Sequence, residues 1–203
     1  MPEIPAPFTL RSAAGLPAVY GPLNDAVLLI IDAQVEYSPA GALPLPDLDM
    51  AASNIALLLE RARETGAEIV HIGHEGSPGR AFDPGAGGRF IEQAEPLEGE
   101  TVIGKALPNA YANTGLQNHL AGLGRPHLVL AGFMTHMCVS STARAALDLG
   151  YETTVVADAT ATRALPSVDG SSVISAETLH ETALAALADR FSAITSTTQV
   201  LAL

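Results

Sequence analysis

The chain has 203 residues, enough for one α/β domain and little more. Its formal net charge of −12 argues against nucleic acid or an anionic membrane as main partner, because both need clustered Lys and Arg. Aromatics make up only 4% and Trp is absent, so Ala, Leu, Val and Ile have to fill the core, and the single cysteine excludes an intramolecular disulfide.

Residues 1–24 are rich in Pro, Gly and Ala without a sustained period, and read as an N-terminal arm on the surface or on a neighbouring subunit. Residues 25–203 read as a single domain. The first residues lack a basic start followed by an apolar run, so no secretory leader is expected. No stretch has the roughly 18 to 20 apolar residues of a membrane helix. A cytoplasmic location is the expectation.

The run Ala26 to Ile31 (AVLLII) suits a central parallel strand buried on both faces, and it ends at Asp32. Asp49 to Thr65 has helical spacing and stops at Gly66, a C-cap. Glu68 to Ile72 reads as a strand, and Gly73 to Gly88 as a long glycine-rich loop. The stretch Asp83 to Phe90 lacks both the GxGxxG fingerprint and a P-loop lysine, and its flexibility suits a lid or a subunit contact. Thr101 to Ile103 is a short strand leading to Lys105, and Thr114 to Leu123 a helix. His127 to Ala131 is a strand, Thr135 to Leu149 a helix, and Thr153 to Ala157 a strand ending at Asp158. Ala176 to Phe191 is a helix, and Ser192 to Thr195 a last strand. Strands alternating with helices predict an α/β fold, a three-layer αβα sandwich around a mostly parallel sheet.

Ligands of such sheets bind beyond the carboxyl ends of the strands. Asp32, His74, Lys105, the turn from Gly132 to Cys138, and Asp158 all fall on that edge. Cys138 has the setting of a nucleophile: a helix N-terminus and a nearby lysine both favour the thiolate. A carboxylate can take its proton, and backbone N–H groups of the turn can hold an oxyanion. The plain alternative for a lone intracellular cysteine is a small buried hydrophobe.

Three segments carry a family resemblance. LLIIDAQVEY holds Asp32 and Gln34, VIGKALPNAYANT holds Lys105 and Tyr111, and GFMTHMCVSSTARAALDLGY with VVADA holds Cys138. Together they resemble the isochorismatase-like cysteine hydrolases, which include nicotinamidases and N-carbamoylsarcosine amidohydrolases. The resemblance runs from about residue 25 to the C-terminus. It implies Cys138 as nucleophile, Asp32 as general base, and Lys105 as the cation that activates the thiol. It also implies a cis Phe133–Met134 peptide bond, with the N–H groups of Met134 and Cys138 as the oxyanion hole. The implied reaction is hydrolysis of a C–N, amide-type bond of a small molecule through a thioester on Cys138. The chain is expected to be a homo-oligomer, a dimer or tetramer, acting on a small-molecule substrate without a cofactor.

The chain departs from the nicotinamidase pattern. Where those enzymes carry an Asp-x-His metal motif, it reads His74-Glu75-Gly76, and no metal is expected. His71 and His74, three apart on a strand, point to opposite faces. The isochorismatases proper cleave a vinyl ether and generally lack the cysteine, so Cys138 favours C–N hydrolysis and leaves ether cleavage as the alternative. A non-catalytic binding protein of the same fold is a third reading.

Candidates for substrate contact are Gln34, Tyr37, His74, Tyr111 and His136. Gln34 and Tyr37 are open equally to a surface role. Tyr111 is expected to pack over the substrate or to close the site from a neighbouring subunit, with plain packing as its alternative. Thr135 is a candidate cap for the helix after Cys138. Arg144 is expected in a salt bridge, and Asp158 to orient backbone or the Lys105 region.

Overall fold

The computed structural model describes residues 6–203; the first five residues of the expected N-terminal arm lie outside them. The described part of the arm contains a short helix, α1 (Leu10–Ala13), whose Leu10 N–H donates to Asp189. The remaining elements follow as β1 (Val27–Ile31), α2 (Leu48–Thr65), β2 (Glu68–His74), β3 (Thr101–Lys105), α3 (Leu116–Leu123), β4 (His127–Phe133) and α4 (Ser140–Asp148). Then come β5 (Glu152–Ala161), a hairpin of β6 (Leu165–Pro166) and β7 (Val173–Ile174), α5 (Ala176–Arg190), β8 (Ser192–Thr195) and α6 (Thr197–Leu201).

Six strands form one parallel sheet in the order β3-β2-β1-β4-β5-β8. All five residues of β1 are buried, as a continuous apolar run at the centre of a two-faced sheet requires. Their side chains alternate between two cores. Leu28 and Ile30 pack with Ile55, Leu58 and Leu59 of α2. Val27, Leu29 and Ile31 pack with Leu116 and Leu120 of α3, Ala143 and Ala146 of α4, and Leu187 of α5. The helices on both faces complete the expected three-layer sandwich.

From β1 the chain moves outward to β2 and β3, then returns to place β4 on the other side of β1. The sheet therefore reverses direction between β1 and β4, and such a switch point is where open α/β sheets bind ligands. Gly132 makes this possible at atomic scale. It adopts φ 113°, and a Cβ there would lie 2.0 Å from the Ile31 carbonyl oxygen, so only glycine lets β4 run this close to the end of β1.

Two expectations change in form. The glycine-rich segment after β2 is not a loose flap. Glu36, only 4% exposed, accepts Ala42 N–H and Phe82 N–H on its two carboxylate oxygens. Val35 and Glu36 N–H donate to the Arg89 and Gly87 carbonyls, and Gln34 bridges Phe90. A Cβ on Gly87 or Gly76 would lie 1.9 Å from Glu36 or the Ala81 carbonyl, so at these two positions glycine is needed for close packing. β5 runs past Asp158, because a register shift against β4 absorbs extra residues before pairing resumes at Thr160.

Candidate active site

Asp32 immediately follows β1. Continued alternation would send its side chain to the α2 face, with Leu28 and Ile30. Instead Asp32 takes φ 49°, a left-handed conformation that Asp tolerates better than most residues, and its carboxylate meets Lys105 from the α3 side. Backbone of this kind persists where surrounding structure enforces it, often at functional sites. Lys105 ends β3, in register with His74 at the end of β2. Both Asp32 and Lys105 side chains are fully buried, and Lys105 Nζ donates to Asp32 Oδ2 at 2.6 Å.

Cys138 comes from the turn after β4. That turn opens with a cis Phe133–Met134 bond, as the resemblance implied, and continues as one π-helical turn, Thr135–Val139, before α4. Cys138 Sγ lies 3.4 Å from Lys105 Nζ and is 4% exposed. The other Asp32 oxygen, Oδ1, is buried without a hydrogen-bond partner among the described residues, and the thiol is near enough to lower the carboxyl pKa. Met134 N–H makes no hydrogen bond among the described residues. The structure thus gathers an acid, a cation, a thiol and a free backbone donor from residues far apart in sequence.

The electrostatics correct one expectation. The Cys138 thiol is pushed up to about 12, first by burial and then by the Asp32 charge, against the pull of Lys105. Desolvation outweighs the cation here, so the resting sulfur is a thiol. Asp32 is also raised, because burial outweighs Lys105.

Residues 26–199 match the sequence profile described as the Isochorismatase domain. The chain belongs to the isochorismatase family of hydrolases. It is 36% identical to a secreted isochorismatase effector of Verticillium dahliae over 95% of this chain and 98% of that one. It is 35% identical to a streptothricin hydrolase of Streptomyces noursei, over 69% of this chain and 51% of that one. An isochorismatase from Pseudomonas putida superimposes with a TM-score of 0.90 at 44% identity, covering 96% of this chain and 100% of that one.

The other expected site residues of this isochorismatase-family chain separate into two groups. His74 stands beside the Asp32, Lys105 and Cys138 cluster, with Nδ1 3.5 Å from Lys105 Nζ. Burial, then Lys105, lower its pKa and favour the neutral ring. Gln34 is buried and fully used. Its amide donates to the His74 and Gly88 carbonyls, and its oxygen accepts His74 N–H. Tyr37 is buried rather than on the surface, its ring edge-on to Phe82 and Phe133. Its pKa is raised by burial first and then by Asp32 and Cys138, which keeps the phenol protonated beside the site. His136 pairs through Nδ1 with Thr162, while its Nε2 is buried without a partner. Burial and then Arg163 hold its pKa down.

Tyr111 is the exception. Its ring stacks on Tyr151 at 6.3 Å, and Tyr151 precedes β5 at the amino end of the sheet. The loop after Lys105 has already turned down along α4, where Ala110 N–H donates to Thr142, so Tyr111 packs away from Lys105 and Cys138. Three supporting roles change as well. Thr135 pairs with His180 instead of capping a helix. Arg144 lies over the Phe191 ring at 4.1 Å and donates to Ser140, with no acidic partner among the described residues. Asp158 ties Asn54 of α2 to Thr197 of α6, away from Lys105.

His71 is buried, with Nε2 2.9 Å from Glu100. No group of three or more His, Cys, Asp or Glu among the described residues could hold a metal ion, and no helix there could cross a membrane. Sequence reasoning missed Phe82, Arg163 and Thr162. Phe82 lies 4.7 Å from the His74 ring, and Arg163 carries its charge toward Tyr37 and His136. A 510 Å³ cavity borders the site through His74, Gln34 and Phe82.

Proposed function

We propose that the chain is a cysteine hydrolase cleaving a C–N, amide-type bond of a small molecule without a metal, with Cys138 as nucleophile. The observation that carries this reading is the contact of one buried lysine with both Asp32 and Cys138. The Cys138 S–H proton passes to Asp32 Oδ1 as Sγ attacks the carbonyl carbon. The oxyanion forms toward the N–H groups of Met134 and Cys138. Asp32 returns the proton to the departing nitrogen as the C–N bond breaks, leaving a thioester. Water then attacks, giving its proton to Asp32. The acid leaves as the C–S bond breaks, and Asp32 reprotonates the sulfur.

Lys105 keeps the Asp32 charge compatible with a dry site and offsets charge on sulfur during attack. The N-terminal arm, the cytoplasmic location and the homo-oligomer expected from sequence stand as parts of this proposal. So does a one-domain hydrolase spanning residues 25–203.

Vinyl-ether hydrolysis is the second reading. The upward pull on Asp32 favours it, since a protonated Asp32 could donate to an enol ether carbon. The test is a panel of small amides and ureides together with isochorismate, assayed with wild type and Cys138→Ala. Amide hydrolysis that vanishes in the variant supports the proposal. Ether cleavage that survives in the variant supports the second reading, and no amide turnover in either protein overturns the first.

A further inference from the structure

His74 has no part in the proton transfers above, yet the structure holds it with unusual care. Gln34 grips its backbone from both sides, accepting from His74 N–H at 2.9 Å and donating to its carbonyl at 2.9 Å. Phe82 lies against its ring, and Phe82 N–H is itself fixed by buried Glu36. These contacts aim Nδ1 at Lys105 Nζ, 3.5 Å away. A lysine ammonium has three donors. Around Nζ stand three acceptors: Asp32 Oδ2 at 2.6 Å, Cys138 Sγ at 3.4 Å and His74 Nδ1 at 3.5 Å.

We propose that His74 is a positioning residue for Lys105, holding the ammonium between Asp32 and Cys138 while neutral and releasing it on protonation. The inference rests on the reading of Cys138 as nucleophile and Lys105 as its activating cation. Nδ1 can accept from Lys105 only while it carries no proton. A proton there sets two cations 3.5 Å apart, with the lysine fully buried, and the repulsion displaces Nζ from the sulfur.

The charged groups facing the ring are Lys105 from β3, Asp32 from the end of β1, and Glu75 on its own strand extension. Gln34 and Phe82 complete its surroundings and do not titrate. Burial and Lys105 favour the neutral ring, opposed by Asp32 and Glu75, so the switch falls on the acid side of the ordinary histidine value of about 6.5. Activity is present above the switch and is lost as pH falls through it.

The test reads Cys138 alkylation by iodoacetamide against pH, a rate that needs no knowledge of the substrate. Wild type, His74→Asn and His74→Ala are compared, with melting curves to confirm folding at each pH. Wild type is expected to lose most of its rate on the acid side of neutrality. Asparagine offers an acceptor that does not titrate, so His74→Asn keeps its neutral rate within a few-fold and loses the acid limb. His74→Ala is slowed roughly tenfold across the range, the size of a lost positioning contact. An unchanged acid limb in His74→Asn assigns that limb to Asp32 and overturns the proposal. So does a His74→Ala protein labelled at the wild-type rate throughout. A wild-type Cys138 that resists labelling at every pH instead overturns the nucleophile reading, and the inference with it.

Discussion

Lys105 Nζ and Asp32 Oδ2 lie 2.6 Å apart with neither side chain exposed to solvent, so each charge depends on the other for its place in the core. Removing one partner of a buried pair costs about 3–5 kcal/mol, because the survivor is left uncompensated. Lys105→Met should therefore lower stability by that order and drive Asp32 toward its protonated form, abolishing the base. The double variant Asp32→Asn/Lys105→Met should regain much of the lost stability and none of the activity. Thermal melts of the three proteins check this. A double variant less stable than Lys105→Met would contradict the pairing.

Gly132→Ala should be among the most damaging single-methyl changes in the chain. The added Cβ would meet the Ile31 carbonyl at 2.0 Å, and φ 113° is unfavourable for alanine. Strain and overpacking each cost about 1–3 kcal/mol, and both fall at the point where β4 presents the Cys138 turn. Denaturant midpoints should drop accordingly. Gly122→Ala, with open space around its Cβ, serves as the control.

Glu100 predicts a specific acid sensitivity. Burial pushes its carboxyl up, but hydrogen bonds from Arg63, Leu97 N–H and His71 overcome this and hold it down to about 2. A carboxyl depressed in the folded state contributes stability above its unfolded value, lost as pH falls toward the folded one. Stability should thus decline from about pH 4.5 to about pH 2. Glu100→Gln should flatten that decline while lowering stability at pH 7. Urea melts at several pH values would show both effects.

Glu36 predicts the behaviour of the glycine-rich segment. It accepts N–H groups from Ala42 and Phe82, on the two loops that flank the site. Glu36→Ala leaves both donors unsatisfied in a buried place, at about 1–3 kcal/mol each. Hydrogen exchange at residues 79–88 should quicken in the variant and be slow in wild type. Fast exchange of this segment in wild type would mean it opens as a lid.

The sheet and the meeting of Asp32, Lys105 and Cys138 were legible because their signals are local. AVLLII needs nothing beyond itself to read as a central strand, and Asp32, Lys105 and Cys138 mark strand ends that the α/β topology brings to one edge. The misread residues depend on partners distant in sequence. Spacing from Lys105 says nothing about where the following loop turns, so sequence left Tyr111 open between substrate, neighbouring subunit and plain packing, and it packs on Tyr151. Glycine-rich sequence suggests flexibility, but Glu36 and the bridge from Gln34 to Phe90 lock it. The thiol was misjudged because sequence shows the lysine and the helix but not the burial that outweighs them.

The most direct test of the account is the pH dependence of Cys138 alkylation by iodoacetamide in wild type, Asp32→Asn and Lys105→Met. With Asp32 taking the thiol proton at the moment of attack, wild type should react at neutral pH although its resting sulfur is protonated. Its rate should stay flat from pH 7 to pH 8, where that of a free thiol of pKa about 8.5 rises steeply. Both variants should react at least a hundredfold more slowly at pH 7, a loss typical of removing a general base. One common rate in all three proteins, rising tenfold per pH unit up to that free-thiol value, would show that Cys138 is an ordinary cysteine and not the nucleophile.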